Sequence, residues 1–138
     1  MSYKYLEHST DAFIEVKAKN LEEAFSVAGK SVVETIIDLE NIQEIEEKSI
    51  KVKGRNLLNL LYNWLEEIVT ITITDGFAIK KFSVNIKKNT EYEIISKVSG
   101  EKLDLKKHNF KIEIKSPTFH LMEIKENDEV TMQYLLDL

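Results

Sequence analysis

The sequence predicts an α+β domain, with two helices packed on a mostly antiparallel sheet. Two stretches carry apolar residues at helical spacing, one over residues 21–39 and one over residues 57–68. Beyond Asp75-Gly76, the chain instead alternates apolar and polar residues in short runs separated by turn residues. Period 3.6 followed by period 2 is the pattern of helices laid on antiparallel strands.

The first element is a half-buried strand over residues 11–18, with Ala12, Ile14 and Val16 on one face. Asn20 then caps a helix, with Glu23 three residues on in a capping-box-like pattern. Leu21, Ala24, Phe25, Ala28, Val32, Ile36 and Leu39 make its apolar stripe, and the helix is expected to end near Asp38. An acidic connection from Glu40 to Lys48 leads to a short strand at 49–53, where Ile50 and Val52 point the same way. Gly54-Arg55-Asn56 breaks the chain before the second helix, whose buried side is Leu57, Leu61, Trp64, Leu65 and Ile68. The run from Val69 to Thr74 alternates β-branched residues like a strand, so its pattern leaves the end of that helix open.

Phe82, Val84 and Ile86 predict a strand that turns at Lys88-Asn89 into Tyr92, Ile94, Ser96 and Val98. Gly100 to Asn109 reads as a polar connection, and Phe110, Ile112 and Ile114 alternate as a further strand. After Pro117, the segment from Phe119 to Ile124 resumes strand character. Glu126-Asn127-Asp128 turns it into the last strand, Val130, Met132, Tyr134 and Leu136. Asp137 falls on the opposite face from Leu136, outside the core, where a carboxylate keeps its hydration.

The 138 residues, 43% hydrophobic and 31% charged, suit a single domain. No apolar run reaches the length of a membrane span, and the N-terminus lacks a signal-peptide pattern. The absence of cysteine excludes disulfide and thiolate chemistry and fits a cytoplasmic protein. The net charge of −5 is unevenly spread. Residues 1–48 carry five cationic against eleven acidic side chains, and residues 116–138 one against five. Residues 80–115 carry ten lysines against five acids. Acidic ends favour a cation; a basic middle favours RNA or an acidic partner, unless these charges are simply solvated strand faces.

No nucleophile elbow, phosphate loop, zinc-type cluster or dinucleotide fingerprint is present, which argues against a self-sufficient enzyme. The candidate chemistry lies at the two ends. His8-Ser9-Thr10-Asp11 precedes the first strand, and the last strand runs into Leu135-Leu136-Asp137-Leu138 and stops. If those strands are neighbours, Asp11, Asp137 and the Leu138 carboxylate converge, and three hard oxygen donors suit calcium or magnesium. His8 and His120 lie beside these segments and are contact candidates, while His108 has no such neighbour.

Five segments occur in order along the chain: His8-Ser9-Thr10-Asp11, Leu21-Glu22-Glu23-Ala24-Phe25, Leu60-Leu61-Tyr62-Asn63-Trp64-Leu65, Lys115-Ser116-Pro117-Thr118-Phe119-His120 and Leu136-Asp137-Leu138. Together they resemble the archease family over the full length. The resemblance implies a strand-helix-strand-strand fold with an inserted β module, within about residues 80–115 here. It also implies a protein cofactor of the RtcB-type ligase of tRNA splicing and RNA repair, which joins RNA 3′-phosphate or cyclic-phosphate ends to 5′-hydroxyl ends using GTP. Such a cofactor promotes ligase guanylylation and multiple turnover, broadens the nucleotides accepted, and meets RNA only indirectly. A calcium-type metal site is implied at Asp11, Asp137 and Leu138, and Lys115 matches the lysine that opens the family's Lys-x-x-Thr-Tyr-His segment. Phe119 stands where tyrosine is usual, which makes that ring more a packing residue than a chemical one; Ser9 replaces threonine and keeps a hydroxyl. The competing readings are an RNA-binding module built on the lysines, a chaperone-like adaptor, and a metal-dependent hydrolase, for which ligands and a general base are too few.

Overall fold

The computed structural model describes residues 2–6 and 11–138. The elements, in chain order, are β1 (Ser2–Leu6), β2 (Asp11–Ala18), α1 (Leu21–Ile36), β3 (Glu46–Gly54) and α2 (Leu57–Val69). There follow a π-helical turn (Thr70–Thr74), β4 (Phe77–Lys88), β5 (Tyr92–Lys102), β6 (Ser116–Glu126) and β7 (Val130–Asp137). The α+β expectation holds: two helices accompany two antiparallel sheets, a four-stranded one ordered β1-β2-β7-β6 and a three-stranded one ordered β3-β5-β4.

The helices join the sheets. α1 packs on β2 and β4, α2 packs on β6 and β3, and the helices pack on each other. Period two decides which strand residues face them. On β2 these are Ala12, Ile14, Val16 and Ala18, and on β7 Val130, Met132, Tyr134 and Leu136, all buried. Trp64 of α2 is fully buried, donates its indole N–H to the Phe25 carbonyl at 2.8 Å, and meets the Phe82 ring edge-on at 6.0 Å. Asn20 caps α1 by accepting from the Glu23 N–H at 2.8 Å, and Asn56 caps α2 through Asn59 in the same way. Gly100 sits where a Cβ would collide with the Ala78 carbonyl on the paired strand.

Two expectations are corrected, on the first strand and on residues 110–114, and the end of α2 that the pattern left open is decided. β1, which carries no recognisable run in the sequence, pairs with β2 from Ser2↔Lys17 to Leu6↔Phe13 and forms the sheet edge. The β-branched run after Val69 is helical, closing in a wide turn in which the Asp75 N–H reaches the Thr70 carbonyl at 3.0 Å. Helical winding keeps Ile71 and Thr72 buried with Ile68, and packing overrides the strand preference of Ile and Thr.

Phe110, Ile112 and Ile114 form no strand. The Lys111 N–H donates to the Ile36 carbonyl at the end of α1 (2.8 Å), and the Asp38 N–H donates to the His108 carbonyl (2.9 Å). With its backbone groups used to close the helix end, this segment keeps only Ile114 buried and leaves Phe110 and Ile112 exposed.

The segment is held by a small polar cluster. His108 is fully buried; its Nδ1 accepts from the Asp104 N–H at 3.0 Å, so its Nε2 carries the proton donated to Glu101 at 3.0 Å. Lys107 also bonds Glu101, at 2.8 Å, and the Gln43 N–H adds a third donor. Lys107, then His108, then Gln43 draw the Glu101 carboxyl down to a pKa of about 2.

Candidate functional site: an acidic cleft at the β2-β7-β6 end

β7 is central in its sheet, and both neighbours meet it at Asp137. Asp11 of β2 and Ser116 of β6 are each the Cα partner of Asp137. Directly opposed residues in antiparallel strands point to the same face. Asp11, Asp137 and Ser116 therefore form a row of oxygen-bearing side chains across three strands. One residue along, Ala12, Leu136 and Pro117 form the matching row on the core face, and all three are buried. Polar and apolar residues thus alternate in phase on three strands at once, which puts two carboxylates together without burying either deeply: Asp137 is exposed and Asp11 half-buried.

The row opens into a cleft of about 560 Å³ lined by Asp11, Asp137, Ser116, Thr118, His120 and Tyr62, among others. Tyr62 comes from α2, whose packing on β6 brings the phenol to the cleft wall. His120 is exposed, and its N–H donates to Thr118 Oγ1 at 3.1 Å. Lys115, exposed and just ahead of β6, donates its N–H to the Asp137 carbonyl at 2.8 Å. Leu138 is half-buried, its side chain packed against the core beside Asp137.

Of the residues singled out in the sequence, Asp11, Asp137 and His120 meet in this cleft, with Lys115 and Leu138 adjoining by chain and hydrogen bond. His8 lies outside the described residues. Tyr62 and Ser116 were not singled out for chemistry, because nothing in their spacing distinguishes them from surface residues of a helix and a strand. Phe119 packs, as expected from its lack of a hydroxyl, stacking on Tyr62 with centroids 4.4 Å apart and planes 11° from parallel. Phe119 as a whole is nevertheless about half exposed.

The donor set is hard oxygen: two facing carboxylates, a serine hydroxyl across the strand and the Thr118 hydroxyl nearby. That chemistry fits a cation of the calcium or magnesium kind, which takes carboxylate, hydroxyl and water ligands. Among the described residues no three His, Cys, Asp or Glu side chains gather tightly enough to hold a metal alone, so further ligands would be hydroxyl, water or main-chain oxygen.

Part of the lysine-rich stretch is occupied by the fold. Lys80 donates to the Leu39 carbonyl, Lys107 bonds Glu101, Lys111 bonds the Glu34 carbonyl and Asp38, and Lys81 and Lys97 pair loosely with Glu44 and Glu47. Phe82 and Tyr92 sit at half-buried strand positions, whereas Phe110, expected to face the core, lies exposed on a loop. No helix among the described residues is long and apolar enough to cross a membrane.

Fold and cleft together define an α+β domain whose β2, β7 and β6 strands build an open, oxygen-lined cleft. The chain matches the model of the Archease protein family (MTH1598/TM1083) over residues 3–138, and it belongs to that family. It is 34% identical to protein archease of Pyrococcus abyssi over 125 residues, covering 90% of this chain and 88% of that one. It is also 34% identical to protein archease of Pyrobaculum islandicum, covering 100% and 96%. Its fold is similar to the solution structure of protein 1598 of Methanobacterium thermoautotrophicum, with a TM-score of 0.84 at 28% identity over 99% of this chain and 98% of that one. A Thermotoga maritima archease, described as a possible chaperone, shares the fold at a TM-score of 0.63 and 20% identity, over 98% and 96% of the two chains.

Proposed function

We propose that this protein is an accessory activator of an RtcB-type RNA-splicing ligase, promoting its guanylylation and turnover and broadening its nucleotide use, through a calcium-type ion held at Asp11, Asp137 and Leu138. The observation that carries this reading is the register that sets Asp11 opposite Asp137 in an open cleft of an archease-family chain.

Bound there, the ion supplies charge neutralisation and orientation for phosphate groups. The chain's own part is positional. Asp11 and Asp137 hold the ion; Ser116 and Thr118 offer hydroxyls; Lys115, whose main-chain N–H bonds the Asp137 carbonyl, carries an exposed point charge for a phosphate or an acidic group of the ligase. Nucleotidyl transfer depends mainly on alignment and charge neutralisation, so a partner presenting these groups at the rim of the ligase site accelerates it without making or breaking a bond. His120 lines the same cleft and contacts what enters it. The pairing of Lys107 and Lys111 within the fold removes two of the middle lysines from any RNA contact and favours an indirect relation to RNA.

The test is the rate of ligase guanylylation with and without the purified protein. A clear gain with the wild type, lost in Asp11→Ala and Asp137→Ala, is expected. No gain from the wild-type protein overturns the reading. Equal protection of unrelated unfolding clients by wild type and Asp137→Ala, with no effect on the ligase, points instead to a chaperone-like adaptor.

A further inference from the structure

β4 carries two successive lysines where its pairing slips. Ile79 stands opposite Gly100 and Lys81 opposite Ser99, so Lys80 has no partner on β5. The bulge lets Ile79 and Phe82 both pack on the core, three residues apart, and leaves the two lysines between them on the sheet's outer strand. Lys80 is half-buried and held: its ammonium donates to the Leu39 carbonyl at 2.8 Å, which uses one of its three donors. Lys81 is exposed, and Glu44 at 3.9 Å is at the outer limit of an ion pair.

α1 supplies a third lysine. Ser26 and Lys30 lie one turn apart on the same helix face, and the exposed Lys30 ammonium has no partner among the described residues. Here β1, α1 and β4 enclose a concavity of about 410 Å³ that shares no lining residue with the acidic cleft. Tyr3 and Phe82 give it aromatic walls, and Ser2 and Ser26 also line it. Phe82 is fixed in place. It meets Trp64 edge-on at 6.0 Å, and its Cε2 would stand 2.7 Å from a Cβ at position 29, so only glycine allows the approach.

Three lysines and no acidic residue line this concavity, in a chain whose net charge is −5. Cations gathered without counter-charges repel one another and do nothing for the isolated fold, whereas an anion seated among them removes the repulsion. We infer that this concavity binds a free nucleoside polyphosphate, with its phosphates at Lys30, Lys80 and Lys81 and its base on the aromatic walls. Such a site operates independently of Asp11 and Asp137.

Size and charge select this occupant. Cavities of roughly 300–1,000 Å³ with apolar walls and a few placed polar groups are those that take small molecules. Inorganic phosphate has no use for an aromatic wall. A nucleic-acid strand needs a continuous cationic groove, but on the adjoining outer face of the sheet Lys97 pairs with Glu47 and Lys53 with Glu93.

The experiment is calorimetric titration with ATP at low salt, in EDTA so that no metal bridges nucleotide to the cleft. It compares wild type, Lys30→Gln, Lys81→Gln and Lys51→Gln, with melting temperatures alongside. Lys30→Gln and Lys81→Gln should each bind ATP about tenfold more weakly. Both should melt as the wild type does, because both side chains are exposed. Lys51, exposed on β3 and outside the concavity, should be silent. Methyl triphosphate, which carries the charge of ATP without its base, should bind more weakly than ATP. Absence of ATP binding by the wild type, or an equal loss in Lys51→Gln, would overturn the inference. So would methyl triphosphate matching ATP, which assigns the site to simple anions, or an oligouridylate displacing ATP in a Lys51-dependent way, which assigns the lysines to RNA.

Discussion

Replacing Asp137 with asparagine should stabilise the metal-free protein and abolish its response to calcium. Asp11 and Asp137 are directly opposed, so their Cβ atoms stand about 5 Å apart. Two unit charges at about 5 Å repel by roughly 0.8 kcal/mol in water and about 3 kcal/mol at an effective dielectric of 20. Asp137 is exposed, which favours the lower figure, and like charges opposed across strands cost about 0.2–1 kcal/mol. Other contacts of Asp11 are common to both proteins. Asp137→Asn should therefore gain about 0.5–1 kcal/mol in EDTA, a rise in Tm of about 2–5 °C for a domain of this size. The gain should shrink as salt is added.

Calcium reverses the ranking, because the ion uses the same two charges. At a hundredfold excess over Kd it adds about 2.7 kcal/mol to the wild type and little to the variant. Calorimetry in EDTA and in calcium, at low and high ionic strength, reads all four values. A lower Tm for the variant in EDTA would show that the facing carboxylates do not repel. An equal calcium shift in both proteins would place the ion elsewhere.

Two further outcomes concern the framework behind the cleft. Ser31 Oγ donates to the Ala28 carbonyl at 2.7 Å, so it must accept from the Tyr134 hydroxyl 2.5 Å away; both residues are fully buried, and burial pushes the Tyr134 phenol above its ordinary pKa. Ser31→Ala should cost about 1–3 kcal/mol by orphaning that hydroxyl, whereas the Ser31→Ala/Tyr134→Phe double variant should recover most of the loss in urea melts; strict additivity would refute the coupling. Glu101, held at about 2 against an ordinary 4.5 by Lys107, His108 and Gln43, favours its ionised form in the fold. Its stabilisation is complete above the unfolded value and disappears as pH falls through about 2. Glu101→Gln should be less stable than wild type at neutral pH and should flatten the stability profile between about pH 5 and 2; an unchanged slope in urea midpoints would refute this role.

Much of the architecture was legible because it follows from local periodicity. The stripe over residues 21–39 and the Asn20 cap gave α1 to within a few residues of its end, and period two oriented β2 and β7 correctly. The same period put Asp137 on the outer face. Where local pattern was open or wrong in the middle of the chain, contacts from distant segments decided the outcome. Residues 70–74 wind helically because burial of Ile71 and Thr72 outweighs β-branching, and residues 110–114 close the end of α1 instead of pairing as a strand. β1 escaped notice because an edge strand with one face on the domain needs little apolar pattern.

By itself the sequence determined which residues could serve the cleft in kind: a carboxylate at the start of one strand, another at the end of the last, and a histidine after Pro117. Those choices are written in residue type and parity, which need no partner. Only the tertiary structure decided that Asp11 faces Asp137 across one ladder rung, with Ser116 on the next strand and Tyr62 brought in from α2. Strand order and register arise from how helices and sheets bury one another across more than a hundred residues of chain, and no local pattern carries that information.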